Sequence, residues 1–471
     1  MSAEDEFDVV VIGGGPGGYA TALYGAAAGL SIAIVERDKV GGTCLHRGCI
    51  PAKEFLETAA VHRTVEGSKE FGVGVSGISL DFGVSQDRKV AVVDKLWKGL
   101  AGLLKGRKIE TFSGTGMLLP GQQVQVLDGE DAGRVLAARN VVLASGSVPQ
   151  LLPGFDVDGR WVMTSDEFLD LRKLPASVVV IGGGVVGCEF ASLLADLGTK
   201  VTILEAMEQI LPGCDDDIVR VVVRAFKKRG IDIVTGAKVE SHTPSADGTV
   251  TTVKAGDQSW DVEAIVVSVG RRPRTEGLVA DGVGVQIDRR GFVATDEYQR
   301  TGVDGVWAVG DIVAGAPQLA HVGFAEGIVV VKGILGEPVV PVDYAKVPWA
   351  IYCHPEVAFC GMTEAQAKAA GYEVVTKKDP FGGNSRAQII GDTEGVVKIV
   401  AEKRADGTAG RILGVHMCGP WVTEQLSGGY LAVNWEAFAE EVAQFIQPHP
   451  SLSENFGETM LALTGRGMHL A

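Results

Sequence analysis

Cys44 and Cys49 lie in GGTCLHRGCIPAKEF, residues 41–55, ahead of Pro51 and Lys53. A close thiol pair can form a disulfide, be opened by an incoming thiolate and close again, because the thiolate and not the thiol attacks. Positions five apart differ by roughly 140° around an ideal helix. The sulfurs therefore meet only where the helix is distorted. The glycine pair before Cys44 and the run Gly48 to Pro51 permit that, and Pro51 suits a first helical turn. A helix is expected to follow, with Ala52, Phe55, Leu56, Ala59 and Ala60 on one apolar stripe. A thiol at a helix N-terminus near a lysine is acidified and nucleophilic. The functional reading is a redox-active disulfide; the alternatives are a structural bridge or two buried thiols. Far along the chain, QPHPSLSENFGE, residues 447–458, holds His449 between prolines and Glu454 where a last helix can begin. A histidine with a carboxylate partner moves protons near neutral pH, which thiol–disulfide exchange requires. The same two residues also suit a surface histidine and an ordinary helix-start glutamate.

The elements around the cysteines give the pair its context. FDVVVI, residues 7–12, reads as a buried parallel strand. Gly13, Gly15 and Gly18 follow in GxGxxG register, then an Ala-rich helix to about residue 29, then SIAIVE ending in Glu36. This is a complete dinucleotide fingerprint: the glycines admit a pyrophosphate at a helix N-terminus and the acid takes a ribose hydroxyl. It recurs as Gly182, Gly184 and Gly187 with Glu205, at the same offset for glycines and acid. That register implies an internal duplication and two bound nucleotides. Later strands end in small-residue turns, NVVLASGS with Ser145 and Gly146, and AIVVSVGRRP with Gly270, where backbone would pass close to a nucleotide. In TGVDGVWAVGDI, Asp311 either accepts from a ribityl or sugar hydroxyl or is a simple turn residue. Glu189, just past the second glycine turn, is either a surface acid or the partner of Lys53 across a domain junction. Cys188, Cys214, Cys353, Cys360 and Cys418 read as small buried hydrophobes, with no zinc spacing and no metal centre expected. His321 reads as a packing or interface residue.

At 471 residues the chain is long enough for about three domains. Its 64 glycines have no collagen-like period and gather at strand–helix turns. The net charge of −16 argues against a nucleic-acid partner. The acidic start has neither a signal-peptide n-region nor transit-peptide character, and no window suits a membrane span. A soluble, cytoplasmic protein is expected. After about residue 345 the texture changes to antiparallel strands such as VVKIVAEK and GRILGVHMCG, with helices at 363–370 and beyond 421. The expected fold class is α/β, two Rossmann-like domains and a C-terminal α+β domain, over 1–148, 149–274, 275–345 and 346–471.

GGTCLHRGCIPAK, AVGD and HPSLSE resemble the redox-disulfide, FAD and C-terminal His–Glu signatures of the two-dinucleotide flavoprotein disulfide reductases. Within that family the chain is most similar to those that oxidise dihydrolipoamide, and the similarity covers nearly its whole length. The resemblance implies FAD, NAD, central and dimerisation domains in that order. It implies that Cys44 is the interchange thiol and Cys49 the flavin-proximal charge-transfer thiol. Lys53 would sit near the flavin N5 with Glu189 as partner, and His449 would be the base, oriented by Glu454. Gly116, Asp311 and Ala320 match FAD-contacting positions; Val239 and Gly270 match NAD-contacting ones. His46 and Arg47 stand where Asn-Val is common, and Ala52 where Ser or Thr is frequent. The implied reaction oxidises protein-bound dihydrolipoamide with NAD⁺, in a homodimer whose base serves the partner chain. Lipoyl groups would come from other chains of a 2-oxo acid dehydrogenase or glycine cleavage complex. The alternatives are a glutathione reductase-like enzyme and a non-catalytic flavoprotein subunit.

Glu205 also dictates which nucleotide is used. A 2′-phosphate there would meet Glu205 and Glu208, with Ala206, Met207 and Gln209 between and beside them and no basic residue among the five. Like-charge juxtaposition of this kind costs several kcal/mol in discrimination, so NAD⁺ is expected to be preferred roughly a hundredfold or more. The ratio of kcat/KM for NAD⁺ and NADP⁺ measures this, and Glu205→Val with Met207→Arg should narrow it.

Overall fold

The structure, a computed structural model, describes residues 6–470. Met1 to Asp5, most of the acidic start on which the localisation expectation rests, and Ala471 lie outside the described residues. β1 (Glu6–Ile12), α1 (Pro16–Ala27) and β2 (Ile32–Glu36) follow the fingerprint. They join β3 (Glu110–Ser113), β4 (Gly116–Leu119), β5 (Gln123–Val126) and β6 (Val135–Leu143) in the order β3-β2-β1-β6-β5-β4. The first four run parallel; β5 and β4 turn back antiparallel. The strand Val306–Ala308 adds in parallel to the C-terminal half of β6. Helices cover one face of the parallel part, and β4, β5 and residues 278–313 cover the other, which is why Val9, Val10 and Val11 follow one another without polar alternation, all fully buried.

The second fingerprint builds a five-stranded sheet, all parallel, in the order 232–235, 200–205, 177–181, 264–267, 162–163. The chain passes between the two nucleotide folds through one antiparallel ribbon, Ser147–Pro149 against Arg271–Pro273. The C-terminal part is a five-stranded antiparallel sheet, in the order 349–351, 356–361, 409–419, 396–403, 374–380. Helices Val422–Asn434 and Glu454–Leu463 pack on it. The fold is therefore mixed α/β, two nucleotide folds followed by an α+β unit. Among the described residues no helix is long and apolar enough to cross a membrane.

The helix after the second cysteine, α3 (Cys49–Gly67), is where the three parts meet. Its Ala52, Phe55, Leu56 and Ala59 enter one continuous core with Val178, Phe190 and Leu194 of the second fold and Ile351, Val357 and Val396 of the C-terminal sheet. A second tie is polar. Lys398, 3% exposed on the strand Val396–Lys403, donates to Asp215 at 2.9 and 3.0 Å, to Asp217 at 2.7 Å and to Glu364 at 2.8 Å. Burial opposes ionisation of Asp217, yet bonds from Lys398, Arg220 and Lys378 hold it well below the usual carboxylate range. Asp215 caps the helix Asp216–Lys228, so the cation fastens the second fold to the C-terminal sheet. Removing one member of such a buried cluster leaves uncompensated charge, at about 3–5 kcal/mol. Lys398→Met is expected to lower the thermal midpoint by several degrees, measured by calorimetry beside the parent.

Candidate active site

α2 (Gly42–Arg47) stops at Gly48, whose φ of −148° and ψ of −110° leave the helical region, and α3 begins at the next residue. The sequence anticipates a distorted helix; what forms is two helices with a one-residue break. The break folds Cys49 back on Cys44, their Cα atoms 4.6 Å apart and their sulfurs joined in a disulfide. No side chain caps Gly48; the Ala52 N–H bonds to the Gly48 carbonyl at 3.0 Å and Pro51 has no N–H, so the amides of Cys49 and Ile50 are the ones left without a side-chain cap. Between the cysteines, His46 bonds through Nε2 to the Val40 carbonyl at 2.9 Å, and Arg47 pairs with Asp38. Both are thus engaged by the β2–α2 loop. One turn into α3, Lys53 Nζ donates to both oxygens of Glu189 at 2.9 Å. Glu189 is 2% exposed and also accepts the Tyr352 N–H at 3.0 Å. The surface alternative for Glu189 is excluded.

The two glycine turns repeat each other in detail. A Cβ on Gly13 (φ +107°) or Gly182 (φ +105°) would strike the carbonyl of Ala144 or Ser268. One on Gly18 or Gly187 would strike the Gly13 or Gly182 carbonyl. The middle glycines differ: nothing but Gly42 Cα, at 3.9 Å, lies near Gly15, and nothing within 4 Å near Gly184. Each is the uncapped N-cap of its helix. Two glycines thus fit the turn to its own strand and helix, and the third leaves open backbone for a diphosphate at a helix N-terminus. This is a cradle that fits a dinucleotide, built twice. Glu36 accepts the N–H of Gly14 at 2.7 Å and of Asp38 at 2.9 Å; Glu205 accepts those of Gly183 at 2.6 Å and Met207 at 2.7 Å. Burial pushes the Glu36 carboxyl up, against the Gly14 N–H and Arg37.

Around the first cradle, Ser145 Oγ donates to the Arg274 carbonyl at 2.6 Å, and the Gly146 carbonyl accepts the Arg274 N–H at 2.8 Å. Gly116 lies in β4 against Ile12 and Val35, and Ala320 is the first residue of the helix Ala320–Leu335. Val239 packs on the core of the second fold, and Gly270 has a φ of +112° beside the connecting ribbon. Asp311 follows the strand Val306–Ala308 in a short 3-10 turn. Its Oδ2 accepts from Ser147 Oγ at 2.5 Å, and Ser147 Oγ accepts from Arg271 Nε at 2.7 Å. Glu326, fully buried, accepts the Gly310 N–H at 2.5 Å and the Tyr344 hydroxyl at 2.6 Å. Ser147, Arg271, Glu326, Tyr344 and Tyr352 are not found by sequence reasoning. Arg271 adjoins Gly270, and Glu326 is a lone acid in an apolar helix; those are the only signals they give.

His449 Nδ1 meets Glu454 Oε1 at 2.8 Å, and Glu454 Oε2 accepts the Ser451 N–H at 2.7 Å. Glu454 opens the helix Glu454–Leu463, as the sequence leads one to expect. The imidazole side chain is 70% exposed and Glu454 is its only hydrogen-bonding partner among the described residues. The structure thus brings together Cys44, Cys49, Lys53 and Glu189, and separately His449 and Glu454. His321 bonds to the Pro348 carbonyl at 2.8 Å. The five other cysteines are buried free thiols.

The profile described as pyridine nucleotide-disulphide oxidoreductase matches residues 7–327, and that of its dimerisation domain matches 347–460. A dihydrolipoyl dehydrogenase of Bacillus subtilis is 42% identical, over 98% of this chain and 99% of the relative. One from Zymomonas mobilis is 38% identical over 99% of both, and a mitochondrial one from Pisum sativum 36% over 100% and 94%. Among solved structures, LpdA of Mycobacterium tuberculosis superposes with a TM-score of 0.90 at 26% identity, covering 97% of this chain and 99% of that one. The HOCl-induced flavoprotein disulfide reductase RclA of Escherichia coli gives 0.85 at 27%, covering 96% and 99%.

Glu326 provides a test of the buried turn under Asp311. Burial raises its carboxyl from 4.5 to about 7, opposed by Tyr344 and the Gly310 N–H. Between those values the folded chain keeps a proton that the unfolded chain has released. Stability therefore falls as pH rises through that window and is level above it. Glu326→Gln cannot ionise and should lack this slope, which amounts to on the order of 3 kcal/mol. Thermal midpoints of parent and variant on the two sides of the window measure it.

Proposed function

The chain belongs to the pyridine nucleotide-disulphide oxidoreductases, and from that membership we propose how its own residues carry out dihydrolipoyl dehydrogenase activity. The reaction oxidises dihydrolipoamide to lipoamide with NAD⁺ as acceptor. The observation that carries the reading is the Cys44–Cys49 disulfide, held at the start of α3 one turn from the Lys53–Glu189 pair. FAD, which the first cradle would hold, would supply two-electron redox chemistry between the cysteine pair and NAD⁺, which the second would hold. Gly13, Gly15, Gly18 and Glu36 hold the former with Gly116, Ser145, Gly146, Asp311 and Ala320; Gly182, Gly184, Gly187 and Glu205 hold the latter with Val239 and Gly270. The four-part division at 148, 274 and 345 completes this reading.

His449 is the base. With Nδ1–H donated to Glu454, Nε2 is left with a lone pair for a thiol proton. The substrate thiolate so formed attacks Cys44 Sγ, the Cys44–Cys49 bond breaks, and Cys49 leaves as a thiolate. Its charge falls at the uncapped N-terminus of α3 with the Lys53 ammonium one turn away, and both favour the thiolate. The second substrate thiol displaces Cys44, closing the cyclic disulfide; Cys44 leaves with the proton His449 was holding, and His449 takes the proton of the second thiol, so that one proton ends on Cys44 and one on the imidazole. The substrate has then lost two electrons and two protons. The exposure of the imidazole, bonded only to Glu454 among the described residues, and the dimerisation domain support the reading that it serves another chain. The base for each disulfide comes from the other subunit of a homodimer. Lipoyl domains of a 2-oxo acid dehydrogenase or glycine cleavage complex deliver the dithiol.

Anaerobic mixing of the holoenzyme with dihydrolipoamide and NAD⁺ should yield NADH with bleaching of the oxidised flavin spectrum. His449→Gln should slow dithiol oxidation by about a hundredfold or more, the low end of a positioned proton-transfer group. Flavin reduction by NADH should change far less. Equal losses in both half-reactions would remove His449 from the role of base.

A further inference from the structure

Tyr352 touches both members of the Lys53–Glu189 pair. It follows directly on the strand Trp349–Ile351, at the edge of the C-terminal sheet, so it approaches from the third part of the chain. Its backbone N–H donates to Glu189 Oε1 at 3.0 Å, and its ring lies 4.9 Å from Lys53 Nζ. Two hydrogens of the ammonium are taken by the carboxylate, and a π-face is the neighbour on another side. At the far edge of the ring the hydroxyl faces Thr423 and Glu424, at the start of the helix Val422–Asn434, and Glu356, which opens the strand Glu356–Gly361. Burial raises that phenol from its ordinary value, so the ring stays neutral. Lys53 itself is only 33% exposed. Its side chain carries several freely rotating bonds, and Glu189 alone fixes a distance but not the side from which the cation is approached.

We propose that Tyr352 is a positioning residue for the reaction: its ring and its N–H together fix the Lys53 ammonium, and through it the electrostatic poise of the flavin. This rests on the reading that Lys53 lies against the flavin. A cation held beside the ring system favours the extra negative charge of the reduced form. An ammonium free to wander favours it less. The C-terminal unit thereby contributes to the redox poise of a cofactor held by the first nucleotide fold.

The experiment is a midpoint-potential titration of purified holoenzymes, with flavin content and kcat and KM for dihydrolipoamide measured in parallel. Tyr352→Leu keeps the N–H and removes the ring. It should retain flavin and KM, lower kcat about tenfold, within the range of a desolvated cation–π contact, and shift the potential to more negative values. Tyr352→Phe keeps the ring and should hold the parent potential. In a Lys53→Met background the same Tyr352→Leu change should add no further shift, because the residue acts through the lysine. If Tyr352→Leu does not accumulate as folded holoenzyme, Tyr352→Met takes its place in the same comparison. A shift in Lys53→Met with none in Tyr352→Leu overturns the proposal and leaves the reading of Lys53 standing. No shift in Lys53→Met removes that reading and the proposal with it. Additive shifts would make Tyr352 a merely structural residue and also overturn it.

Discussion

Lys53 and Glu189 stand 136 residues apart in the chain and 2.9 Å apart in the fold. Glu189 is 2% exposed. A carboxylate so far removed from water is tolerable only when a cation and hydrogen-bond donors surround it. Those donors come from α3 in the first fold and from Tyr352 at the edge of the C-terminal sheet. The pair therefore requires that three separately built units be docked, and the apolar core around Phe55 and Phe190 provides the driving force for docking them. The disulfide inherits its place from this arrangement, because Cys49 and Lys53 share a helix.

The same junction explains the ionic cluster around Arg229. Its guanidinium meets Asp196 and the Ser192 carbonyl on the helix of Glu189, and the carbonyl of His354 two residues past Tyr352. Arg63 of α3 reaches the same Asp196. Second fold, first fold and C-terminal sheet are thus stitched by charge on the side of the junction away from the glycine turns. His354 sits among these cations, and burial together with Arg63 and Arg229 lowers its pKa to about 3, so it adds no charge to the stitch.

What the sequence discloses and what it withholds divide along a physical line. Fingerprint glycines, their acids, the cysteine pair and the His–Glu pair are legible because each is a local pattern, set by a turn, a helix start or a few residues of spacing. The periodic strands at 7–12, 177–181 and 396–403 are legible for the same reason. The break at Gly48 is only half legible: glycine permits it, and only the packing of Leu45 on one side and Pro51 and Ala52 on the other fixes where the chain leaves the helix. Arg271, Ser147, Glu326 and Tyr352 matter through partners brought near by docking. Their neighbours in sequence say little of them beyond Gly270 beside Arg271 and the apolar helix around Glu326, since a lone tyrosine or arginine has many uses. Glu189 lies between the two cases, because its position past a glycine turn poses the question and only the third dimension answers it.

His449 is 70% exposed and its outward nitrogen has no hydrogen-bonding partner among the described residues, while the disulfide lies in another part of the same chain. On the reading in which it serves the partner's disulfide, each chain lends a base and borrows one. The phenotype of an altered copy is then not confined to that copy. In a cell making both an intact chain and one with a damaged imidazole, every mixed dimer has a site whose cysteines are sound but whose base is missing. Damage to the cysteines, by contrast, leaves the lent imidazole intact for the neighbour. Two lesions in different chains can therefore either compound or compensate one another, depending on which half of the reaction each one disables. Inheritance of such variants would follow the geometry of the dimer and not the sequence position of the change.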